Sequence, residues 1–379
     1  MSKKKLLMVL GPTEIEENIR QLGALPQVYN RTPEFSSLMK RINKNLQYLF
    51  KTKNPVFTLS CSGTGAMEAA VTNTLSPGDK VLIINGGTFG ERWVKICKKH
   101  KLKVKEIKLR YGKAINPTII ENLIKKDKQI KAVFTTHNET STGVLTDIKT
   151  IGKIVHKTKA ILIVDAISSI GVEPLEMDQW HCDVVITSSQ KALALPPGLA
   201  FISFSPKVWK YVKKARLRTF YFDAFDYLKN WKRGQTPFTP SISLIFQLDV
   251  RLQKVKKIGL QQIQNKYKLQ TNMLRSGIKA LGLKLAGERP ANCVTGVWAP
   301  KKIDASKIVK IMSKKHGISI APSPGILKTR LFRIGNFGDI DQKDIIRTIS
   351  SLEKILTQLG CSVIPQKSAV TKALIKKRY

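Results

Sequence analysis

The sequence predicts an α/β protein: a mostly parallel sheet with helices on both faces, followed by a smaller C-terminal α+β domain. Between about residues 60 and 205, apolar runs of strand length alternate with amphipathic stretches. That is the order expected when each strand is followed by a crossover helix. The strand runs are nearly continuous in Val, Ile and Leu, which fits strands buried on both faces. Beyond residue 241 the pattern changes to a long helical segment and then shorter units.

In chain order, the predicted strands are 81–85, 104–109, 132–136, 160–164, 184–187 and 199–204, with helices at 65–75 and 148–156 between them. The second strand lies in a lysine-rich run where lysines alternate with Leu102, Val104, Ile107 and Leu109. This period of two predicts a half-buried strand with one solvated face. Residues 241–280 read as one long helix. The predicted division is 1–255 for an N-terminal segment and the large domain, and 256–379 for the small domain, ending in a basic tail over 365–379.

A chain of 379 residues with 42% hydrophobic and 24% charged residues has the composition of a globular protein of two domains. No apolar run approaches a membrane span. The apolar stretch Leu6 to Leu10 stops at Gly11-Pro12 without a cleavage site, so it does not read as a signal peptide. Cys61, Cys97, Cys182, Cys293 and Cys361 form no close pair and no metal spacing. The expectation is a reduced, cytoplasmic protein with no metal. The net charge of +40 reads mainly as a general lysine bias or a solubility device, with incidental polyanion binding at low salt as the lesser alternative. It is spread along the chain without a nucleic-acid motif, so no specific nucleic-acid partner is expected.

Parallel sheets gather ligand groups at strand C-termini and helix N-termini, and three candidates stand there. Lys191 follows the strand 184–187 among small hydroxyl residues, in Thr187-Ser188-Ser189-Gln190-Lys191. A lysine ending a buried strand is costly to desolvate unless neutral, paired or covalently used, which is the setting of a Schiff-base lysine; a strand-end lysine that snorkels to solvent is the alternative, favoured on lysine frequency alone. Asp165 ends the strand 160–164, and a carboxylate there needs a cation or donors to stay ionised; capping of the next helix is the alternative. Ser62-Gly63-Thr64-Gly65 is a small-residue turn entering a helix, suited either to a phosphate or to simple capping. In the second domain, Arg333 lies among apolar residues and glycines, placed for a bidentate grip on a carboxylate or for a structural ion pair.

With these residues stand further motifs in a fixed order: Gly11-Pro12-Thr13-Glu14, Asn30-Arg31-Thr32-Pro33, His137-Asn138-Glu139-Thr140-Ser141-Thr142-Gly143, Val164-Asp165-Ala166, Thr236-Pro237-Phe238-Thr239 and Arg333-Ile334-Gly335. Together they resemble the class V aminotransferases of pyridoxal phosphate fold type I, nearest the alanine–glyoxylate, serine–pyruvate and serine–glyoxylate group. The resemblance implies pyridoxal 5′-phosphate as cofactor and a homodimer with shared sites. It implies that Lys191 forms the internal aldimine and that Asp165 pairs with the pyridine nitrogen. Ile167 and Phe89 would pack on the two ring faces, and Thr140 would donate to the ring hydroxyl. Ser62, Gly63, Thr64 and Gln190 would bind the phosphate, completed by Thr236 and Thr239 of a second subunit. Arg333 would hold the substrate carboxylate, with Gly11 beside it.

The activity so implied moves an amino group from alanine or serine to glyoxylate or pyruvate; a broad-specificity aspartate aminotransferase is the alternative, and a basic polyanion-binding scaffold the remote one. Phe89 and Phe337 are expected to favour small acceptors over a diacid. Departures from the family pattern are Cys61 for Gly, Asn30 for His, Thr236 for Tyr, and Asn336-Phe337 for His-Met. A cysteine desulfurase is disfavoured, because 323–330 holds no cysteine near the arginine.

Overall fold

The computed structural model describes residues 5–361 apart from residue 218; the predicted basic tail lies outside the described residues. The large sheet has seven strands: β1 (Val56–Leu59), β2 (Lys80–Asn85), β3 (Lys103–Lys108), β4 (Ile130–Thr136), β5 (Ile161–Asp165), β6 (Val184–Ser188) and β7 (Ala200–Phe204). Their spatial order is β1-β7-β6-β5-β4-β2-β3. β7 runs antiparallel to both neighbours, while the other pairings are parallel. The α/β class with a mostly parallel sheet is therefore observed, and the run 56–59, too short and mixed to stand out in sequence, supplies a further strand.

Alternate residues of the central strands feed two apolar layers. Val133 and Leu162 pack into one layer with Ile42 and Leu248, while Phe134 and Ile163 pack into the other with Met67 and Trp93. This two-sided burial is why the strands read as continuous apolar runs. Helices packed on this framework include α1 (Pro33–Phe50), α2 (Gly63–Thr74), α3 (Thr88–Lys99), α4 (Ile148–His156), α5 (Ile242–Ile258) and α6 (Leu260–Ala280).

Two expectations need correction. The single helix over 241–280 is two, α5 and α6, because Gly259 adopts φ 88 and ψ 139 and breaks the helical path; only glycine takes that conformation cheaply. The edge strand β3 is not amphipathic in the simple sense. Leu102 and Val104 reach one apolar layer while Ile107 and Leu109 reach the other. Lys103, Lys105 and Lys108 stay exposed. Lysines on an unpaired edge hinder pairing with another sheet, which gives part of the charge excess a structural use.

The C-terminal part forms a four-stranded sheet from β8 (Lys284–Leu285), β9 (Val294–Trp298), β10 (Ala321–Pro322) and β11 (Leu331–Gly335), in the order β8-β9-β11-β10. Its own core includes Leu274, Phe332 and Ile349, and also Met8 from the N-terminus. Leu6–Leu7 pairs in parallel with Ile318–Ser319, and Gly335 N donates to Met8 O at 3.0 Å. A Cβ at Gly335 would lie 2.1 Å from Val9 O, so a side chain there would block this approach. The N-terminal segment is thus tied to the small sheet, and it delivers Leu10 and Gly11 to the crevice facing the large one.

Candidate active site

Every strand-end residue singled out above lies on one edge of the large sheet. Adjacent parallel strands bring Thr136, Asp165 and Ile186 into register, so the segments that follow β4, β5 and β6 emerge side by side. Lys191 arrives from the last of these. Its Nζ donates to Leu10 O, and a Cβ at Gly11 would lie 2.7 Å from Lys191 Cδ. The lysine stem therefore runs directly against the glycine backbone. Burial, and then repulsion from Arg333, lower the Lys191 pKa to about 8, with Asp165 opposing. An amine so placed is readily neutral, as a nucleophile must be.

Asp165 is buried, and burial raises its carboxyl to about 7 despite the Ile167 N–H that donates to Oδ1 at 2.9 Å. Neighbouring Glu139 raises it further, whereas Arg92 and Lys191 lower it. A carboxyl this costly to ionise lacks a sufficient cation of its own. Arg333 shows the complementary deficit: burial lowers its pKa to about 10, and its Nε is buried without a partner. Its Nη1 and Nη2 donate to Thr140 O at 2.9 Å and Pro322 O at 2.6 Å. No carboxylate pairs with Arg333 among the described ion pairs, so the structural ion pair is not what is found.

Ser62 is the N-cap residue of α2, yet its side chain makes no capping bond, so the hydroxyl is not consumed by the backbone. Thr64 Oγ1 accepts from Arg92 Nη1 at 3.0 Å. Gly63 packs under Ile167, whose Cδ1 lies 2.6 Å from where a Cβ would stand, and beside Ser188 Oγ at 3.3 Å. Ser188 Oγ and Gln190 Oε1 are buried without partners. Phe89 carries the Arg92 guanidinium 4.8 Å above its ring. Thr140 Oγ1 lies 2.9 Å from Ser168 Oγ, and Asn138 Nδ2 donates both to Ser168 Oγ and to Cys293 Sγ.

Glycines, hydroxyls and a free helix N-terminus suit a phosphate, the under-compensated Asp165 suits a protonated pyridine, and the near-neutral Lys191 amine suits a carbonyl. These residues fit pyridoxal phosphate. Gly11, Ser62, Gly63, Thr64, Phe89, Thr140, Asp165, Ile167, Gln190, Lys191 and Arg333 are linked through the contacts and fields just described.

Thr236 and Thr239 behave differently. Thr236 Oγ1 donates to Phe238 O at 2.7 Å, and Arg31 grips the carbonyls of Thr236 and Pro237. Thr239 is exposed. This loop packs its Phe238 ring parallel to Tyr221 at 5.0 Å.

Three residues of the site escaped the sequence reading. Arg92 was one basic residue in a lysine-rich stretch, although its place one turn after Phe89 on α3 was a usable signal. Glu139 lay inside a recognised motif without a role. Cys293 looked like a scattered thiol, yet it lies close enough to Lys191 for the two to influence each other's ionisation. Burial raises the Cys293 thiol well above its ordinary value, so it stays protonated. Conversely, Phe337 is corrected: it is fully buried in a cluster with Leu10, Tyr267 and Cys293 and presents no surface to a substrate. No group of three or more His, Cys, Asp or Glu placed to hold a metal occurs among the described residues.

Residues 13–324 match the family described as Aminotransferase class-V. The chain is 39% identical to the "Soluble hydrogenase 42 kDa subunit" of Anabaena cylindrica, over 95% of both chains. It is 33% identical to the serine–glyoxylate aminotransferase of Arabidopsis thaliana, over 94% of this chain and 92% of that one. Among solved structures, the ureidoglycine–glyoxylate aminotransferase of Bacillus subtilis superposes with a TM-score of 0.93 at 28% identity, covering 100% of this chain and 99% of that one. With the crevice described above, these likenesses show that the chain belongs to the class V aminotransferases, enzymes of pyridoxal phosphate fold type I.

Proposed function

We propose that this aminotransferase passes an amino group from alanine or serine to glyoxylate or pyruvate in two half-reactions, each using the same crevice. The carrying observation is Lys191, packed against Gly11 with its amine brought to about 8, together with Arg333, a buried guanidinium close enough to lower it and with its own Nε unpartnered. Pyridoxal phosphate supplies the carbonyl that takes the amino group and the ring that draws electrons from the substrate Cα. Lys191 would hold the cofactor through its amine and, once released, that amine would be the group placed to take and return the substrate Cα proton. Asp165 would hold the ring nitrogen in its protonated form. Ile167 and Phe89 would hold the ring between them, and Thr140 would be the donor for its hydroxyl. Arg333 grips the α-carboxylate and orients the Cα–H toward Lys191.

A donor without a charged side chain suits this crevice better than aspartate. The other guanidinium of the cluster, Arg92, is committed to Thr64 and to the Phe89 face. The acceptor reading draws support from glyoxylate in the names of two similar proteins. Thr236 and Thr239 are assigned to the phosphate of a partner subunit, since the Thr236 hydroxyl bonds only Phe238 O of its own loop and Thr239 is exposed; the working unit is then a homodimer. The five cysteines are all free thiols, which fits a reducing, cytoplasmic setting.

A donor panel of alanine, serine and aspartate against glyoxylate, pyruvate and 2-oxoglutarate tests this reading. Alanine or serine with glyoxylate should give the highest kcat/KM, and the cofactor absorbance band should shift when either donor is added. A preference for aspartate with 2-oxoglutarate would overturn the assignment, and loss of the band in Lys191→Ala without loss of fold would support the role of the lysine.

A further inference from the structure

Helix α3 carries the aromatic clamp, yet it has no cap of its own. Its N-cap residue is Gly87, which has no side chain to offer. The first free N–H groups of a helix need acceptors, and here they come from the segment after β4. Thr88 N donates to Ser141 Oγ at 3.2 Å, Phe89 N to Glu139 Oε2 at 3.2 Å, and Gly90 N to Glu139 Oε2 at 3.1 Å. Ser141 holds the carboxylate in place, its own N donating to Glu139 Oε1 at 3.1 Å and its hydroxyl donating to the same oxygen. Gly87 is required for this fit, because a Cβ there would lie 2.2 Å from Ser141 Oγ and 2.8 Å from Glu139 Cδ.

Glu139 is 4% exposed and forms none of the ion pairs among the described residues. Its charge acts on Arg333, whose pKa it raises, but no cation makes close contact with it; a buried carboxylate so placed is costly, and the amide donors and the helix dipole supply its direct contacts. One turn of α3 then transmits its position. Phe89 is the first residue held, and Arg92, three residues on, stacks on that ring and donates to Thr64 in the turn at the start of α2.

We propose that Glu139 is a positioning residue: a carboxylate reaching across from the motif after β4 to cap α3, and so fixing both the Phe89 ring and the Arg92–Thr64 bond for cofactor binding. This rests on the reading of Phe89 and Thr64 as cofactor contacts, but the capping itself does not. Glu139→Gln keeps the shape, removes the charge and turns one acceptor into a donor facing N–H groups. Glu139→Asp keeps the charge but is one methylene short of both amides.

Hydrogen exchange on the full-length protein, with and without pyridoxal phosphate, reads the cap directly. In Glu139→Gln the amides of Phe89 and Gly90 should exchange about tenfold faster, the loss expected when a helix cap is removed. Val133 and Phe134 in β4 should be unchanged. Glu139→Asp should show a smaller increase at the same two amides, which serves if the glutamine variant does not fold. Cofactor affinity should fall by about the same factor. Unchanged Phe89 and Gly90 exchange, or acceleration spread evenly over the sheet, overturns the proposal. Faster exchange at these amides with unaltered cofactor affinity keeps the cap but overturns its link to the cofactor, and with it the assigned role of Phe89.

Discussion

Asp165→Asn should stabilise the cofactor-free protein at neutral pH while impairing the enzyme. In the folded, cofactor-free chain the Asp165 carboxyl is raised from 3.8 to about 7, chiefly by burial. Between those values the unfolded chain has released its proton while the folded chain retains it. Folding stability contributed by this group is therefore present at low pH and lost as pH rises toward the folded value. A displacement of about 3 units corresponds to about 4 kcal/mol at most, of which about 3 kcal/mol falls between pH 5 and 8. Asparagine keeps the acceptor for the Ile167 N–H and has nothing to ionise. Its fixed costs do not vary with pH, so the difference in pH dependence isolates the carboxylate. Urea unfolding of both cofactor-free proteins at pH 5 and pH 8, at one protein concentration, makes the measurement. The advantage of the variant over wild type should grow by about 3 kcal/mol from the lower to the higher pH. A difference independent of pH would refute the claim that Asp165 is an under-compensated buried acid awaiting a cationic partner.

Gly11→Ala should cost about 1–3 kcal/mol of stability, since its φ of +108 is strained for alanine and its Cβ would meet Lys191 Cδ and Gln190 O; thermal melting and the cofactor absorbance band check this, and an unaltered band would count against contact with the lysine. Arg333→Lys should raise KM for every amino donor by about tenfold or more, because a lysine loses the two-pronged grip on a carboxylate; steady-state kinetics with alanine and serine decide it. Phe337→Ala should lower stability by about 3–5 kcal/mol through an unfilled core space, with little change in KM ratios among keto acids. A marked shift of acceptor preference in that variant would return Phe337 to the substrate pocket.

Sequence and structure agree at some residues and part at others, for physical reasons. Asp165 and Lys191 were legible because each ends an apolar run, and adjacent parallel strands align such ends whatever the rest of the chain does. Arg92 and Glu139 were not. Their importance comes from a helix cap supplied by a residue 49 positions away from the amide it accepts, and no local pattern records such a pairing. Phe337 was misplaced for a related reason. Its neighbours Arg333 and Gly335 lie on a strand at the crevice, but the chain turns after Gly335 and carries the phenyl ring into the core. The helix over 241–280 was over-extended because a single glycine in an otherwise helical pattern is often tolerated; here its backbone takes a conformation that ends the helix.

The sequence by itself determined the layered α/β architecture, the order of the motifs and the strand-end positions of Lys191 and Asp165. These follow from periodicity and from residue chemistry acting over a few positions. Tertiary structure decided which charges lie uncompensated, which hydroxyls are free, and which residue caps α3. Burial and long-range hydrogen bonds set those properties, and they exist only once distant segments have been brought together.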